Sequence, residues 1–103
     1  MEDKEFLVKI HKSYRWVLAI CDEELFGQKI EEGGKQLDLT GGFFKGEEKT
    51  ITELKELVLN YVREDATFNI VGEKSCKLAR EMGLIEEDGV ITIKDIPYAL
   101  ILL

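Results

Sequence analysis

Cys21, Asp22, Glu23 and Glu24 form the densest set of reactive groups in the chain. A thiol or carboxylate presented at a strand-to-helix turn suits nucleophilic or acid–base chemistry. Three acids beside the thiol oppose that use, because they raise its pKa and starve the thiolate. One histidine, His11, is available as a base, and no spacing ties it to Cys21. The plainer reading has Cys21 ending a core strand, Asp22 capping a turn and the glutamates solvated. A zinc site needs clustered cysteines and histidines, and Cys21, Cys76 and His11 have no such spacing. The acidic runs Glu31-Glu32, Glu47-Glu48 and Glu86-Glu87-Asp88 lack the calcium-loop pattern and read as solvated faces. No catalytic residue, metal or cofactor is implied.

Binding chemistry has two candidates. Asn69-Ile-Val-Gly72-Glu73-Lys74-Ser75 places a glycine, a lysine and a serine at a helix start, where free backbone N–H groups can hold a phosphate. It is no phosphate-loop signature, since the lysine does not follow the glycine directly. An ordinary helix start, with Asn69 or Gly72 shaping the turn, is the alternative. Lys9-Ile-His11-Lys12-Ser-Tyr14-Arg15-Trp16 joins cations to aromatics with no acid among them. Such a patch can grip phosphates and stack bases. Otherwise it is a hairpin tip with Trp16 turned into the core.

These residues need elements to hold them. Phe6, Val8 and Ile10 alternate with Leu7, Lys9 and His11, which predicts a strand. Trp16–Cys21 is a continuous apolar run, a strand buried on both faces that forms an antiparallel hairpin with the first. Asp22 caps a short turn through Phe26, and Gly27 ends it. Gly33-Gly34 turns a second hairpin between 28–32 and 35–40, with Ile30, Leu37 and Leu39 inward. Gly41–Gly46 is a glycine-bracketed aromatic turn. Thr50 and Glu53 have capping-box spacing. Ile51, Leu54, Leu57, Val58, Tyr61 and Val62 then share one helical face. A connection over 63–69 leads to a second helix near 72–82, with Val71 on its apolar stripe. Gly83 closes that helix, and Leu84 folds back on Ala79. Asp88-Gly89 is a turn. Strands at 90–93 and 98–103 follow, with 94–97 between them.

Strands, a short helix, strands, two helices and strands indicate an α+β fold, a largely antiparallel sheet of about five to six strands carrying two main helices. The 103 residues fit one domain over 1–103, and 45% hydrophobic residues supply its core. The net charge of −7 repels phosphate backbones at long range, which argues against a protein that simply coats nucleic acid. Met1–Glu5 is charged and resembles no leader, and no apolar stretch approaches the roughly 20 residues a membrane span needs. A cytoplasmic chain with two buried, unpaired thiols is expected.

Three segments together resemble a known family. They are Ala19-Ile-Cys21-Asp22-Glu23-Glu24-Leu25-Phe26-Gly27, Ala66-Thr67-Phe68-Asn69-Ile70-Val71-Gly72-Glu73 and Ile96-Pro97-Tyr98-Ala99. The family is an archaeal one, a domain of unknown function bearing the number four hundred and twenty-four. The resemblance spans nearly the whole chain and implies an archaeal, cytoplasmic protein with a translation-linked role. It supplies no catalytic assignment. Its matching positions able to carry a site are Cys21, Asp22, Glu23, Gly27, Asn69, Gly72 and Glu73. Relatives often carry histidine and glutamine where this chain has Tyr98 and Leu100, so any polar site there is altered.

The leading expectation is a non-catalytic module that contacts RNA or a ribonucleoprotein. Lys9, Lys12 and Arg15 would meet phosphates at the hairpin tip, and Asn69, Gly72 and Lys74 would make a second contact. An adaptor whose acidic surface meets a basic protein is the alternative. A ligand-binding protein or enzyme built on the Asp22 turn and the 69–75 helix start is another, and it requires those segments to meet. The uncharged tail Tyr98–Leu103 is core if central, or a homodimer contact if exposed.

Overall fold

The computed structural model describes residues 2–86 and 89–102. Phe6–Lys12 (β1) and Trp16–Asp22 (β2) form the expected antiparallel hairpin, with Phe6 opposite Asp22 and Lys12 opposite Trp16. Alternation sends Phe6, Val8, Leu18 and Ile20 to one face and Leu7, Ala19 and Cys21 to the other. A 3-10 turn at Glu23–Leu25 leads to Lys29–Glu32 (β3) and Lys35–Asp38 (β4), which pair as a separate small sheet. Gly33 and Gly34 make its two-residue turn, with φ of 55° and 87°. Ile30, Leu37 and Leu39 are buried, as the pattern predicts.

Glu47–Lys49 (β5) pairs with the start of β1. Its acidic sequence reads as loop because it lies at the sheet edge, where charge is tolerated and blocks further pairing. The first helix, Ile51–Val62 (α1), opens with the predicted capping box. Thr50 Oγ1 accepts from the Glu53 N–H at 3.2 Å, and the Thr50 N–H donates to Glu53 Oε1 at 2.9 Å. Leu54 and Val58 are buried against the sheet, whereas Ile51 in the first turn is 38% exposed.

Thr67–Val71 (β6) corrects the sequence reading, which treats 63–69 as a connection and gives Val71 to the next helix. It is a central strand, parallel to β2, with Val17 beside Thr67 and Cys21 beside Val71. Phe68 and Ile70 bury on one face and Thr67 and Val71 on the other, so no alternation marks the segment. The second helix, Glu73–Glu81 (α2), ends as expected. The Leu84 N–H reaches back to the Ala79 carbonyl at 2.9 Å, past Gly83 at φ 77°.

Ile91–Ile93 (β7) and Ile96–Ile101 (β8) form the last hairpin. Its turn is only Lys94-Asp95, both at positive φ, so Ile96 and Pro97 belong to the strand rather than the connection. Pro97 is tolerated there for a specific reason. Its carbonyl accepts from the Gly72 N–H at 2.9 Å, but the Gly72 carbonyl already accepts the first bond of α2, from Cys76 N–H at 2.9 Å. The donor that proline lacks would have found no acceptor. Asp88 of the expected 88–89 turn, and Leu103 of the tail, lie outside the described residues.

The main sheet has the order β5-β1-β2-β6-β8-β7 and is antiparallel except for the β2–β6 pair. Both helices pack on one face, over Leu18, Ile20, Phe68, Ile70 and Ile101. The β3–β4 hairpin and Phe44 cover the other, over Leu7, Ala19, Cys21 and Val71. The fold is α+β, with two helices on a mostly antiparallel six-stranded sheet. No helix among the described residues is long and apolar enough to cross a membrane.

Candidate functional site

Because β2 and β6 run in the same direction, their carboxyl ends lie side by side, and Asp22 meets the Gly72 start of α2. Asp22 is 2% exposed. Its Oδ1 accepts from the Ser75 N–H at 2.8 Å and the Ser75 hydroxyl at 2.7 Å. Its Oδ2 accepts from the Lys74 N–H at 3.1 Å. Those N–H groups are orphan donors of the first helical turn. Asp22 therefore caps α2 from a different element, and its charge lies at the positive end of the helix dipole. It does not cap its own 3-10 turn, which has no side-chain cap bond. The cap residue of α2 in sequence is Gly72, which has no side chain to offer.

Gly72 makes room for this carboxylate. Its φ of 111° and ψ of 156° belong to a region that essentially only glycine visits. A Cβ there would lie 2.6 Å from each Asp22 carboxylate oxygen.

This arrangement closes the helix start to phosphate. An anion would need the N–H groups that Asp22 already holds. The Lys74 side chain is engaged as well. Its ammonium pairs with Glu5 at 2.8 Å, and the hydrogen bond to that carboxylate holds it above its ordinary pKa. Asn69 is not at the helix start but in mid-β6, between Ala19 and Leu100. Strand alternation puts it on the sheet face opposite α2. Glu73 is exposed in the first turn of α2. Glu23 is exposed too, and its N–H donates to the Glu5 carbonyl at 2.9 Å, extending the β1–β2 ladder. Gly27, at φ 89°, donates to the Leu39 carbonyl at 2.8 Å and so anchors the small hairpin.

The Asp22 turn and the Gly72–Ser75 segment thus come together, as a ligand site there requires. The hollow beside them, lined by Asp22, Glu24, Glu73, Lys74, Asp95 and Pro97 among others, measures about 160 Å³. By itself that is below the roughly 300 Å³ at which small-molecule pockets begin, but Glu73, Asp95 and Pro97 also line a second, more open hollow of about 670 Å³ with Lys77 and Arg80. Among the described residues no group of three His, Cys, Asp or Glu side chains is placed to hold a metal.

Both thiols are buried and unpaired. Burial, with the charges of Asp22 and Glu23 adding to it, pushes Cys21 up to about 12. Burial pushes Cys76 up to about 11, against the opposing charge of Arg80. They face opposite sides of the sheet. His11 lies four residues along β1 from Leu7, the partner of Cys21, which separates the two by roughly 13 Å at about 3.3 Å per residue. Among the described residues no cysteine–histidine dyad forms. Native protein is expected to resist thiol reagents at pH 8 and to react at both cysteines once unfolded, as counted by a chromogenic disulfide. Because each thiol holds its proton more tightly when folded, its contribution to stability is complete below the ordinary 9.0. It declines as pH rises from there toward about 11 for Cys76 and about 12 for Cys21.

The cations of the other candidate gather at the far end of the sheet. Tyr14 at the β1–β2 tip is fully exposed, at 104%. Lys12 Nζ sits 4.0 Å above the Trp16 ring, which meets Tyr61 of α1 edge-on at 5.3 Å. On the other face His11 stacks on Phe43 at 4.7 Å, with Nε2 2.8 Å from the Phe43 carbonyl. Arg15 donates to the Asp65 carbonyl at 3.4 Å. Lys9 shares the His11 face and Lys12 the opposite one, so the three predicted cations straddle the hairpin. Phe43 was not legible as a site residue. The Gly41–Gly46 turn holds two aromatics, and only the structure separates buried Phe44 from Phe43, which is 44% exposed.

No functionally curated protein matches the chain. The crystal structure of an uncharacterized conserved protein from Methanopyrus kandleri is similar to it, with a TM-score of 0.80 and 27% identity over 94% of this chain and 91% of that one. A family model described as protein of unknown function (DUF424) matches residues 10–103, so the chain belongs to that family.

Proposed function

We propose that this chain is a non-catalytic module that contacts single-stranded RNA, free or within a ribonucleoprotein of the cytoplasmic translation machinery, through the β1–β2 tip. The observation that carries this reading is the company the tip keeps. Fully exposed Tyr14 and the exposed face of Phe43, backed by His11, offer stacking surfaces. Lys9, Lys12 and Arg15 supply phosphate contacts around them, in a stretch free of acids. Rings beside cations bind single strands with little sequence preference. The second contact expected at Asn69, Gly72 and Lys74 is not part of the proposal: Asp22 holds the Lys74 and Ser75 N–H groups, Glu5 pairs with the Lys74 ammonium, the Gly72 N–H donates to Pro97, and Asn69 lies in mid-β6. Against a net charge of −7, such a local patch works at short range, where screening removes the long-range repulsion.

Fluorescence anisotropy with a randomised single-stranded RNA tests it. Replacing Lys9, Lys12 and Arg15 together with alanine is expected to weaken binding and to reduce the slope of log K against log salt by about 2, at roughly 0.7 per phosphate contact. Tyr14→Ala is expected to cost about 1–3 kcal/mol for one lost stacked base. Lys74→Ala should leave binding unchanged. Equal affinity for the triple variant and the unaltered chain, with circular dichroism showing both folded, sinks the proposal. Retention of partners from extract regardless of nuclease would favour the protein-adaptor reading instead.

A further inference from the structure

Most open main chain in the sheet is guarded against pairing. β5 is short and charged, as Glu47-Glu48-Lys49. The part of β1 beyond β5 carries Lys9, His11 and Lys12. β7 is short and runs into Lys94-Asp95. The end of β8 is different. β7 covers only Ile96, Pro97 and Tyr98, and the following Ala99-Leu100-Ile101-Leu102 has no charge, proline or bulge to deter a partner strand.

The direction of the main chain there can be derived. The Pro97 carbonyl points to the β6 side, where it accepts from Gly72. Alternation then turns the N–H and C=O groups of Leu100 and Leu102 to the open side. The side chains of the same two residues are 50% and 72% exposed, and Ile91, 51% exposed, lies across from Tyr98 on their face.

We propose that this edge binds a second copy of the chain, β8 against β8, antiparallel about a two-fold axis through Ile101. Each Leu100 then stands opposite Leu102 of the other copy, and each such pair exchanges both main-chain bonds. The register follows from the neighbours. Centring on Leu100 would put Leu102 of the second copy beside Tyr98, where Ile91 already sits. Centring on Ile101 clears β7 and matches the outward-facing groups. The leucines of the two copies merge into one apolar cluster on the face they share. A second copy suits the edge by charge: a charged partner strand finds no opposite charge here, whereas β8 offers an uncharged apolar strand, and two-fold symmetry makes every contact twice. The net charge of −7 on each copy opposes approach, so added salt strengthens this association while weakening any RNA contact.

Sedimentation equilibrium over a range of protein and salt concentrations, with amide hydrogen exchange on the unaltered chain, tests the proposal. The expected result is a monomer–dimer equilibrium that tightens with salt, with Leu100 and Leu102 amides slowing as protein concentration rises. Leu100→Lys is expected to weaken association by roughly a hundredfold, the scale of placing a charge in an apolar contact. The exchange measurement needs no variant, so a folding defect in Leu100→Lys does not obscure the outcome. A monomer at every concentration, with Leu100 and Leu102 amides exchanging at a fast, concentration-independent rate, would overturn it. So would occupation of this edge by another protein's strand without self-association.

Discussion

Asp22→Ala is expected to lower the free energy of unfolding by about 3 kcal/mol, measured by urea denaturation. The variant leaves the Lys74 and Ser75 N–H groups and the Ser75 hydroxyl without their acceptor beneath α2. Losing a helix cap costs about 0.5–2 kcal/mol, and each buried donor left unsatisfied costs about 1–3 kcal/mol. Partial hydration of the vacated space keeps the total below the simple sum. For a domain of this size the loss corresponds to a fall in Tm of roughly 12–24 °C. Asp22→Asn keeps one acceptor oxygen but turns an amide donor toward one of the helix donors, so its cost should be intermediate. Ser75→Ala removes only the hydroxyl bond and should cost about 1 kcal/mol. A catalytic carboxylate in an open site gives the reverse pattern, because removing such groups often stabilises. Unchanged stability in Asp22→Ala would show that the cap across the sheet contributes nothing.

Gly72→Ala is the second large effect, expected at about 3 kcal/mol or more. Backbone strain at a conformation reserved for glycine contributes about 1–3 kcal/mol. The new methyl also meets the Asp22 carboxylate at 2.6 Å from each oxygen, and that carboxylate is held by α2 and cannot withdraw without losing its bonds. The two positions must then be coupled. In an Asp22→Ala background the steric part disappears and only the strain remains, so the double variant should be less destabilised than the sum of the singles. A double-mutant cycle reads that difference, expected at about 1–3 kcal/mol. Strict additivity would contradict the packing of Gly72 against Asp22.

How much of this is legible in the sequence depends on whether a residue's partner is local. The Thr50–Glu53 capping box, the Gly33-Gly34 hairpin and the Gly83–Leu84 closure are written within a few positions, and all appear as expected. β6 is hidden because a strand buried on both faces carries no periodicity, and Val71-Gly72-Glu73 runs directly from strand into helix. β5 is hidden because edge strands can be entirely charged. At the candidate site Asp22, Gly72 and Lys74 stand out in the sequence, but the structure gives them partners other than the ones the local sequence suggests. Asp22 reads as a local cap, and Gly72 with Lys74 reads as a phosphate cradle. Each supplies what the other segment lacks, across more than fifty residues of chain. One signal was present: α2 starts with glycine and no capping side chain, so its donors had to be satisfied from elsewhere.

The most direct test of the account is the fluorescence of the chain's single tryptophan, Trp16, during titration with a randomised single-stranded RNA at low and at physiological salt. Trp16 lies at the proposed contact, beneath Lys12 and two positions along the chain from fully exposed Tyr14. The expected result is a saturable change in Trp16 emission whose midpoint shifts to higher RNA concentration as salt rises, and which is lost when Lys9, Lys12 and Arg15 are replaced together. No change in emission at any salt, from protein shown to be folded, would contradict it.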